Sequence, residues 1–283
     1  MTSDIVKRPR GRPKQTYEFR PPKTIKALDR GLQILHQLSV EGSSNLSDLA
    51  LKVGVPTSST HRTLATLAKH GFVGFNESNQ KWFVGVEAFR VGSAFLLQTN
   101  LVEVAQDVLR ELVSDTGETA NLAIVDQENV VFISQVEATK PVRACFASGH
   151  RGLMHASGIG KIFLAHMDEK ELNKVLKKTG LPTYTPKTLN TQDMLISDLK
   201  LIRQRGWSLD NEERYDGMSC IASAVYNSFG EIIAGISVSG PSVGFNGQTI
   251  EEIGACVKKS AAQLTTKMGG NINGSVANNE SLI

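Results

Sequence analysis

The sequence predicts an α+β protein in two parts, a small helical module closed by a β-hairpin and a larger body with a largely antiparallel sheet. Apolar residues recur at helical spacing early in the chain, whereas strand-like and helix-like runs alternate irregularly after Thr119. A length of 283 residues exceeds what one hydrophobic core usually organises, which favours two domains. Residues 1–90 carry 14 Lys and Arg against 7 Asp and Glu, whereas the remainder carries 17 against 21. This asymmetry is typical of a nucleic-acid-binding head on a different kind of body.

The composition excludes several classes of protein. The longest apolar runs are about four residues, as at 122–125, whereas a membrane-spanning helix needs about 20. The basic N-terminus is not followed by an apolar core, so it is not a secretory signal. The three cysteines are far apart, which argues against a disulfide scaffold or a clustered zinc site and predicts a cytoplasmic location.

Residues 1–23 form a basic arm without apolar periodicity. Its centre is Arg10-Gly11-Arg12-Pro13, in which Gly11 has no side chain to block close approach. Such a narrow extended segment suits the minor groove of A·T-rich DNA, where guanidinium groups meet an enhanced negative potential. The arm resembles an AT-hook. The alternative is a disordered basic tail without a partner.

Three short helices are expected after the arm. Apolar spacing predicts the first over 25–38, the second over 46–53 and the third over 57–70. Residues 42–45 break the pattern between the first two, and Pro56 disfavours helix just before the third. Two short helices joined by a tight turn that contains glycine are typical of a helix-turn-helix.

The third helix has two different faces. Thr57 or Ser58 is expected to cap it and Gly71 to end it. Small hydroxyls and cations on one side suit a helix in a major groove, where Arg62 reads guanine and the helix N-terminus favours a phosphate. The expected core face is Thr60, Leu64, Leu67 and Ala68, and the expected DNA face is Thr57, Ser58, Ser59, His61, Arg62, Thr66 and Lys69.

A hairpin follows the third helix. Residues 72–75 and 81–84 predict two short strands around a polar turn, the wing of a winged helix-turn-helix. Lys81 at the start of the second strand is also expected to contact DNA. Helices, wing and arm together predict binding to double-stranded DNA. The alternative is an ordinary three-helix packing module with a polar surface.

The remaining chain is expected to comprise a linker, a body and a tail. A helical pattern over 87–115 predicts one long helix, either a linker and dimer contact within 87–116 or a helix that packs on its own domain. The body is expected over 117–268, and the Gly-, Asn- and Ser-rich residues 269–283 are expected to be disordered. Strands are predicted over 121–125, 130–136, 142–147, 207–210, 220–226 and 231–239, and helices over 157–166, 169–177, 194–205 and 248–268.

The segment 157–161, Ser-Gly-Ile-Gly-Lys, looks like a phosphate loop but departs from the Walker pattern. His155 stands where the first glycine belongs, and Ile162 stands where a hydroxyl would hold magnesium. Small residues that open a helix still expose N–H groups, which with the helix dipole favour an anion such as a carboxylate. The alternative is close packing of this helix on the sheet.

Candidate nucleophiles and bases are Cys145, Cys220, His150 and His155. None of them lies in a nucleophile-elbow or cysteine-protease pattern, and no pair of His or Cys residues has metal-ligand spacing. We therefore expect no enzymatic activity, no metal site and no cofactor.

From about Ile25 to about Met268 the chain resembles the IclR-type bacterial transcriptional regulators. The resemblance includes 27–35 (ALDRGLQIL) and 59–64 (STHRTL) in the head and 155–161 (HASGIGK) in the body. Its most specific part begins at Gly206, with Asp210, Glu213, 220–222 (CIA) and 225–227 (VYN) at the family's spacing.

The resemblance implies a winged helix-turn-helix head, a GAF-like effector-binding body and no enzymatic activity. It also implies homodimers or dimers of dimers on palindromic operators. In members that sense small 2-oxo acids such as glyoxylate or pyruvate, the effector lies against the loop before a helix. The matching positions are Gly158 and Ile159 as backbone donors, with Asp210, Cys220, Ser237 and Ser239 as polar side chains.

The residue chemistry agrees with this implied site. Ser237 and Ser239 share one face of a strand because their spacing is two. Asp210 accepts hydrogen bonds and Cys220 is a weak donor, although the alternatives are a surface cap and a core residue. Short side chains without an arginine predict a compact ligand. The expected apolar wall is Ala144, Phe146 and Met154.

The sequence thus predicts a DNA-binding regulator whose small carboxylate effector, glyoxylate or pyruvate, changes the spacing of two heads through the helix over 87–115. One competing interpretation is an enzyme or small-molecule-binding protein with an incidental basic tail. Another is an architectural A·T-binding protein that works mainly through Arg10 and Arg12.

Overall fold

The protein is described by a computed structural model that covers residues 24–97, 100–140 and 146–271. Its contacts divide the chain into two units, one ending at Phe95 and one beginning at Leu96. The basic arm with Arg10, Gly11 and Arg12 lies outside the described residues, as does most of the tail. Within the described part, no helix is long and apolar enough to cross a membrane.

Residues 26–84 of the N-terminal unit form a three-helix module closed by a three-stranded sheet, which confirms the winged helix-turn-helix. Its helices are α1 (Lys26–Glu41), α2 (Leu46–Lys52) and α3 (Thr57–Lys69). Its strands are β1 (Ser43–Ser44), β2 (Val73–Asn76) and β3 (Lys81–Val84), in the order β1-β3-β2. β1 was not expected, because two residues are too short to show a period. The core of the unit is Ile34, Leu38, Leu49, Leu64 and Val73.

The segment expected as one long helix over 87–115 contains two helices, α4 (Val86–Leu97) and α5 (Leu101–Thr116). Asn100, which precedes α5, has a φ of 50°, a left-handed conformation that a right-handed helix excludes. Leu97 and Leu101 are four residues apart, which is also the spacing of apolar residues within one helix. The sequence pattern therefore continues across the break and does not reveal it. α5 packs within the C-terminal unit through Leu101, Ala105, Val108, Leu109 and Leu112, all buried.

The C-terminal unit is an α+β domain around a six-stranded antiparallel sheet, as predicted. The strands are β4 (Thr119–Asp126), β5 (Asn129–Val136), β6 (Arg151–Leu153), β7 (Ser208–Asn211), β8 (Met218–Tyr226) and β9 (Ile232–Pro241), in the order β6-β5-β4-β9-β8-β7. One face packs against α5 and α9 (Gly247–Lys267). The other packs against α6 (Gly158–His166), α7 (Glu169–Thr179) and α8 (Gln192–Arg205).

The region before α6 differs from the prediction. Most of the strand expected over 142–147 lies outside the described residues, and Phe146 and Ala147 are not in a strand. Instead β6 pairs with β5 through three residues, Arg151 to Leu153, and a single 3₁₀ turn (Met154–Ala156) leads to α6. Gly152 and its neighbours Arg151 and Leu153 include no β-branched residue, so the sequence contains little signal for β6.

Candidate functional site

α6 begins directly over the sheet because its first turn has glycines. A Cβ on Gly158 would lie 3.0 Å from Cys220 Sγ and 3.3 Å from Ala222 Cβ. A Cβ on Gly160 would lie only 2.3 Å from the Met154 carbonyl oxygen. Close packing is therefore a real requirement for these glycines. The same packing brings the N-terminal end of α6 to the surface of the sheet.

The N-terminus of α6 retains open backbone donors. Ser157 is the N-cap, and its Oγ accepts from the Gly160 N–H at 3.3 Å. Its carbonyl accepts from the Lys161 N–H at 2.8 Å. The N–H groups of Gly158 and Ile159 lie in the first turn, where the helix itself offers no carbonyl partner. With the helix dipole, these groups attract an anion.

Strand register brings three of the predicted polar side chains into one row. Asp210 of β7 lies opposite Cys220 of β8, and Cys220 lies opposite Ser239 of β9. Ser237 lies two residues earlier on β9, and both serine hydroxyls are within hydrogen-bond reach of the Cys220 thiol. Asn121 of β4, which the sequence did not single out, donates to Ser239 Oγ at 3.2 Å and to Ser237 Oγ at 3.4 Å.

A small cavity opens in front of this row. The space open to the centre of a water molecule is about 40 Å³, enough for about three waters. Ile159 and Ser237 do not line it: the Ile159 side chain packs over Gly235, and Ser237 is fully buried. The predicted residues that do line it are Gly158, Asp210, Cys220 and Ser239.

The opposite walls are aromatic and cationic. The rings of Phe132 and Phe146 stack with centroids 4.7 Å apart, and the Tyr215 ring lies 6.5 Å from Phe146. Arg214 also lines the cavity, so the expectation of short side chains without an arginine is wrong. These residues come from β5 and from loops, where no local pattern marks a shared cavity.

The expected apolar wall holds only in part. Phe146 lines the cavity, whereas Met154 is buried in the hydrophobic core between α6 and the sheet. Ala144 lies outside the described residues. The wall therefore depends more on stacked rings than on aliphatic side chains.

A fully buried lysine joins two carboxylates beside the cavity. Lys161 Nζ donates to Asp198 Oδ2 at 2.7 Å, to Glu213 Oε1 at 2.6 Å and to the Leu209 carbonyl at 2.5 Å. Burial lowers the pKa of Lys161, but Glu213 and Asp198 outweigh burial and the pKa lies above its ordinary value. All three donors of this ammonium are used internally, so Lys161 is not a phosphate-binding lysine.

Asp210 caps a turn and also lines the cavity, but it is buried and not at the surface. Its Oδ1 accepts from the Glu213 N–H at 2.8 Å, which caps the turn after β7, and its side chain lines the cavity. Burial raises the pKa of Asp210 to about 6, although Lys161 and the N–H groups of Glu213 and Arg214 act against it. Burial likewise raises the pKa of Glu213 to about 7. Two carboxyls next to the cavity therefore titrate close to neutral pH.

The candidate nucleophiles and bases do not form a catalytic arrangement in the described part of the chain. Burial raises the pKa of the Cys220 thiol to about 11, so it remains a weak neutral donor. Burial, with the charge of Arg214, lowers the pKa of His150. His155 Nε2 lies 3.0 Å from the Pro182 carbonyl. Cys145 lies outside the described residues, and no cluster of metal-ligating side chains occurs among those described.

The exposed face of α3 carries the side chains expected to contact DNA. Among the described residues, no carboxylate lies within ion-pair distance of Arg62 or Lys69. Ala68 is exposed, although it was expected on the core face of α3. The buried face of this helix is therefore narrower than the sequence predicted. Thr57, Ser58, His61, Arg62, Thr66 and Lys69 are exposed, as is Lys81 on β3, and Ser59 is half-buried.

The start of α3 differs from the prediction. Pro56 is the N-cap and provides no side-chain cap, so neither Thr57 nor Ser58 caps the helix. Proline already holds the φ that leads into the helix, here −54°. The Ser59 N–H donates to the Pro56 carbonyl at 2.9 Å, whereas the N–H groups of Thr57 and Ser58 have no partner within the helix and remain available to a phosphate. Gly71, with a φ of 74°, ends the helix segment as predicted.

Comparisons with known proteins cover both units. The IclR helix-turn-helix domain matches residues 27–77, and the bacterial transcriptional regulator IclR C-terminal domain matches residues 93–266. The HTH-type transcriptional regulator BhcR of Paracoccus denitrificans is 42% identical over 244 residues, 86% of this chain and 88% of that protein. The transcriptional repressor IclR of Escherichia coli is 39% identical over 249 residues, 87% and 91%. The crystal structure of Thermotoga maritima IclR matches with a TM-score of 0.73 and 29% identity, over 87% of this chain and 100% of that one.

Proposed function

The chain belongs to the IclR family of bacterial transcriptional regulators, and we propose that it is a ligand-responsive DNA-binding regulator whose effector is a small carboxylate. The observation that carries the proposal is the cavity where the first turn of α6 meets Asp210, Cys220 and Ser239. Open N–H groups at a helix start attract an anion. Room for about three waters suits a ligand of few non-hydrogen atoms. The matched relatives are named as regulators, not as enzymes.

Within this class the chemistry favours a 2-oxo acid, with glyoxylate first and pyruvate second. The carboxylate would accept from the N–H group of Gly158, which lines the cavity, and from that of Ile159, the next residue of the same turn, whose side chain packs away from the cavity over Gly235. Ser239 and Cys220 offer donors to the carbonyl oxygen, and Asp210 accepts from a hydrated carbonyl. Ser237 and Asn121 do not line the cavity. Asn121 donates hydrogen bonds to the hydroxyls of Ser237 and Ser239 and so helps to hold both serines in position.

For the DNA-binding half we propose that α3 lies in the major groove of a palindromic operator, bound by a homodimer or a dimer of dimers. Arg62 would read guanine, and Lys69 and Lys81 would contact phosphates. The arm with Arg10, Gly11 and Arg12 would follow the minor groove. The effector would favour one arrangement of the C-terminal unit and thereby change the spacing of two heads, which must match the half-site separation.

The experiment is a gel-shift titration on the upstream region of the protein's own gene, at fixed salt, with and without glyoxylate. We expect a specific shift whose midpoint changes with glyoxylate. A Ser237→Ala plus Ser239→Ala variant is expected to bind DNA but to lose the response. Ser197→Ala, an exposed serine on α8, is the matched control.

Each half of the proposal has its own contradicting result. A double variant that responds like the wild type would show that the cavity is not the effector site. A shift indifferent to both glyoxylate and pyruvate would contradict the 2-oxo acid. Absence of any specific shift would count against the operator choice and then against the proposed DNA-binding face.

A further inference from the structure

We propose that Arg214 is the specificity-determining residue that selects a carboxylate over an uncharged ligand in this cavity, by donating from its guanidinium to the ligand's anionic oxygen. The inference rests on the proposed function, because it takes the cavity at the start of α6 as the effector site. It adds a cation to a set that otherwise consists of backbone N–H groups, short side chains and aromatic walls.

The backbone around Arg214 is held in place. Asp210 Oδ1 accepts from the N–H of Glu213 at 2.8 Å. The hydroxyl of Thr188 donates to the Glu213 carbonyl at 2.6 Å, and that of Thr185 donates to the Glu212 carbonyl at 2.7 Å. The turn that carries Arg214 is thus tied both to β7 and to the loop before α8, so the side chain leaves from a defined position.

The guanidinium plane is also held, by aromatic rings. Its central carbon lies 3.7 Å from the ring centroid of Tyr184 and 5.5 Å from that of Tyr215. The Tyr184 ring stacks in turn on His155, with centroids 5.8 Å apart. Such stacking fixes the orientation of the plane. The phenol oxygens of Tyr184 and Tyr215 also accept hydrogen bonds from the guanidinium, but both are neutral acceptors.

One nitrogen of this ordered side chain is unsatisfied. Nη1 of Arg214 is buried and has no hydrogen-bond partner among the described residues. No carboxylate in the described ranges lies within ion-pair distance of the guanidinium either. A buried charged donor without a partner is unfavourable, and a ligand oxygen would remove that penalty.

The other cationic groups near the cavity are unsuited to this role. The three N–H donors of the Lys161 ammonium are already bonded to Asp198, Glu213 and the Leu209 carbonyl. His150 lines the cavity, but burial and the charge of Arg214 lower its pKa and so disfavour its charged form. Among the described residues that line the cavity, Arg214 is therefore the one that brings a permanent positive charge.

The cavity is small enough for one ligand to contact both Arg214 and the start of α6. Gly158 and Arg214 line the same space, which holds about three waters. A compact acid that fills it would contact both walls, and under this inference its carboxylate would accept from the helix N-terminus and from the guanidinium. An uncharged amide of the same shape keeps the contacts of the walls but loses the charge-assisted hydrogen bond.

The test compares acids with their amides in calorimetric titrations of the full chain. Glyoxylate and pyruvate are the charged probes, and glyoxylamide and pyruvamide are the uncharged ones. We expect Arg214→Gln to weaken binding of the acids by about 10- to 100-fold while leaving the amides unchanged. The affinity of Arg214→Lys for the acids is expected to lie between those of the wild type and of Arg214→Gln, because lysine retains the charge without the planar fork. Arg110→Gln, an exposed arginine on α5, is the matched control.

The outcomes separate this inference from the proposed function. Circular dichroism and the operator gel shift verify that each variant is folded; if Arg214→Gln is not, Arg214→Lys decides. Wild-type affinity for the acids in the decisive variant, or an equal loss for acids and amides, would overturn the role of Arg214 and leave the proposed function standing. Failure of the wild-type protein to bind either acid would overturn the carboxylate effector and this inference with it.

Discussion

At the residue scale, the carboxyl group of Asp210 links the stability of the C-terminal unit to pH. Burial raises its pKa to about 6, above the value of 3.8 expected in the unfolded chain. Because the folded pKa is the higher one, the protonated form favours folding: its stabilisation is complete below the unfolded pKa and is lost as the pH rises through about 6. Above that pH the buried charge lowers the free energy of unfolding by up to about 3 kcal/mol.

We therefore expect Asp210→Asn to raise the free energy of unfolding at pH 8 by about 1–3 kcal/mol. The amide oxygen still accepts from the Glu213 N–H, so the turn is retained. The gain should shrink as the pH falls from 6 towards 4. Urea denaturation at pH 8 and pH 5 measures it, with Asp216→Asn, an exposed aspartate in the turn after β7, as the control. An equal gain at both pH values would disprove the burial argument.

The structure brings several of the predicted site residues together where chemistry and register coincide. Gly158, Asp210, Cys220 and Ser239 line the cavity, because a helix start and three adjacent strands meet there. Whether each residue has the proposed role in binding stays a prediction. Arg214 was missed, since its place depends on the loop that holds it and on the ring of Tyr184.

At the scale of elements, the position of α6 depends on Gly160. A Cβ there would lie 2.3 Å from the Met154 carbonyl oxygen and 2.4 Å from its Cα, and backbone atoms cannot rotate away as a flexible side chain does. The helix would have to move away from the 3₁₀ turn. The close approach of α6 to Cys220, and with it the shape of the cavity, depends on this contact.

We expect Gly160→Ala to lower the free energy of unfolding by about 1–3 kcal/mol, although alanine is the better helix former. Gly92→Ala in α4 is the matched control, because a Cβ there meets nothing within 4 Å. The control should be neutral or stabilising by up to about 1 kcal/mol. Urea denaturation compares the two, and a Gly160→Ala protein as stable as the wild type would show that the contact relaxes without penalty.

At the scale of the whole molecule, the uneven charge predicts how the protein binds DNA. Arg62→Ala is expected to weaken binding to the specific site by about 10- to 100-fold and to reduce discrimination against other sequences.

Deletion of residues 1–20 should weaken binding less and reduce its salt dependence, because it removes mainly phosphate and minor-groove contacts. Fluorescence anisotropy at two salt concentrations measures both, with Lys170→Ala on α7 as the control. Abolished binding after the deletion, with Arg62→Ala unaffected, would favour the architectural interpretation.

The sequence by itself determined most of the helices and strands of both units, although not β1, β6 or the division between α4 and α5. It also determined the exposed polar face of α3 and, with the family resemblance, most of the polar row. These features depend on residues close together in the chain, whose spacing repeats at 3.6 or at 2. Only the tertiary structure decided that the helical pattern breaks before α5, that Lys161 is neutralised internally and that Arg214 joins the cavity wall. A regular spacing of apolar residues does not reveal a residue in the left-handed conformation such as Asn100. A cavity is formed by side chains that are distant in sequence. Their meeting depends on the packing of the whole chain and not on any local period.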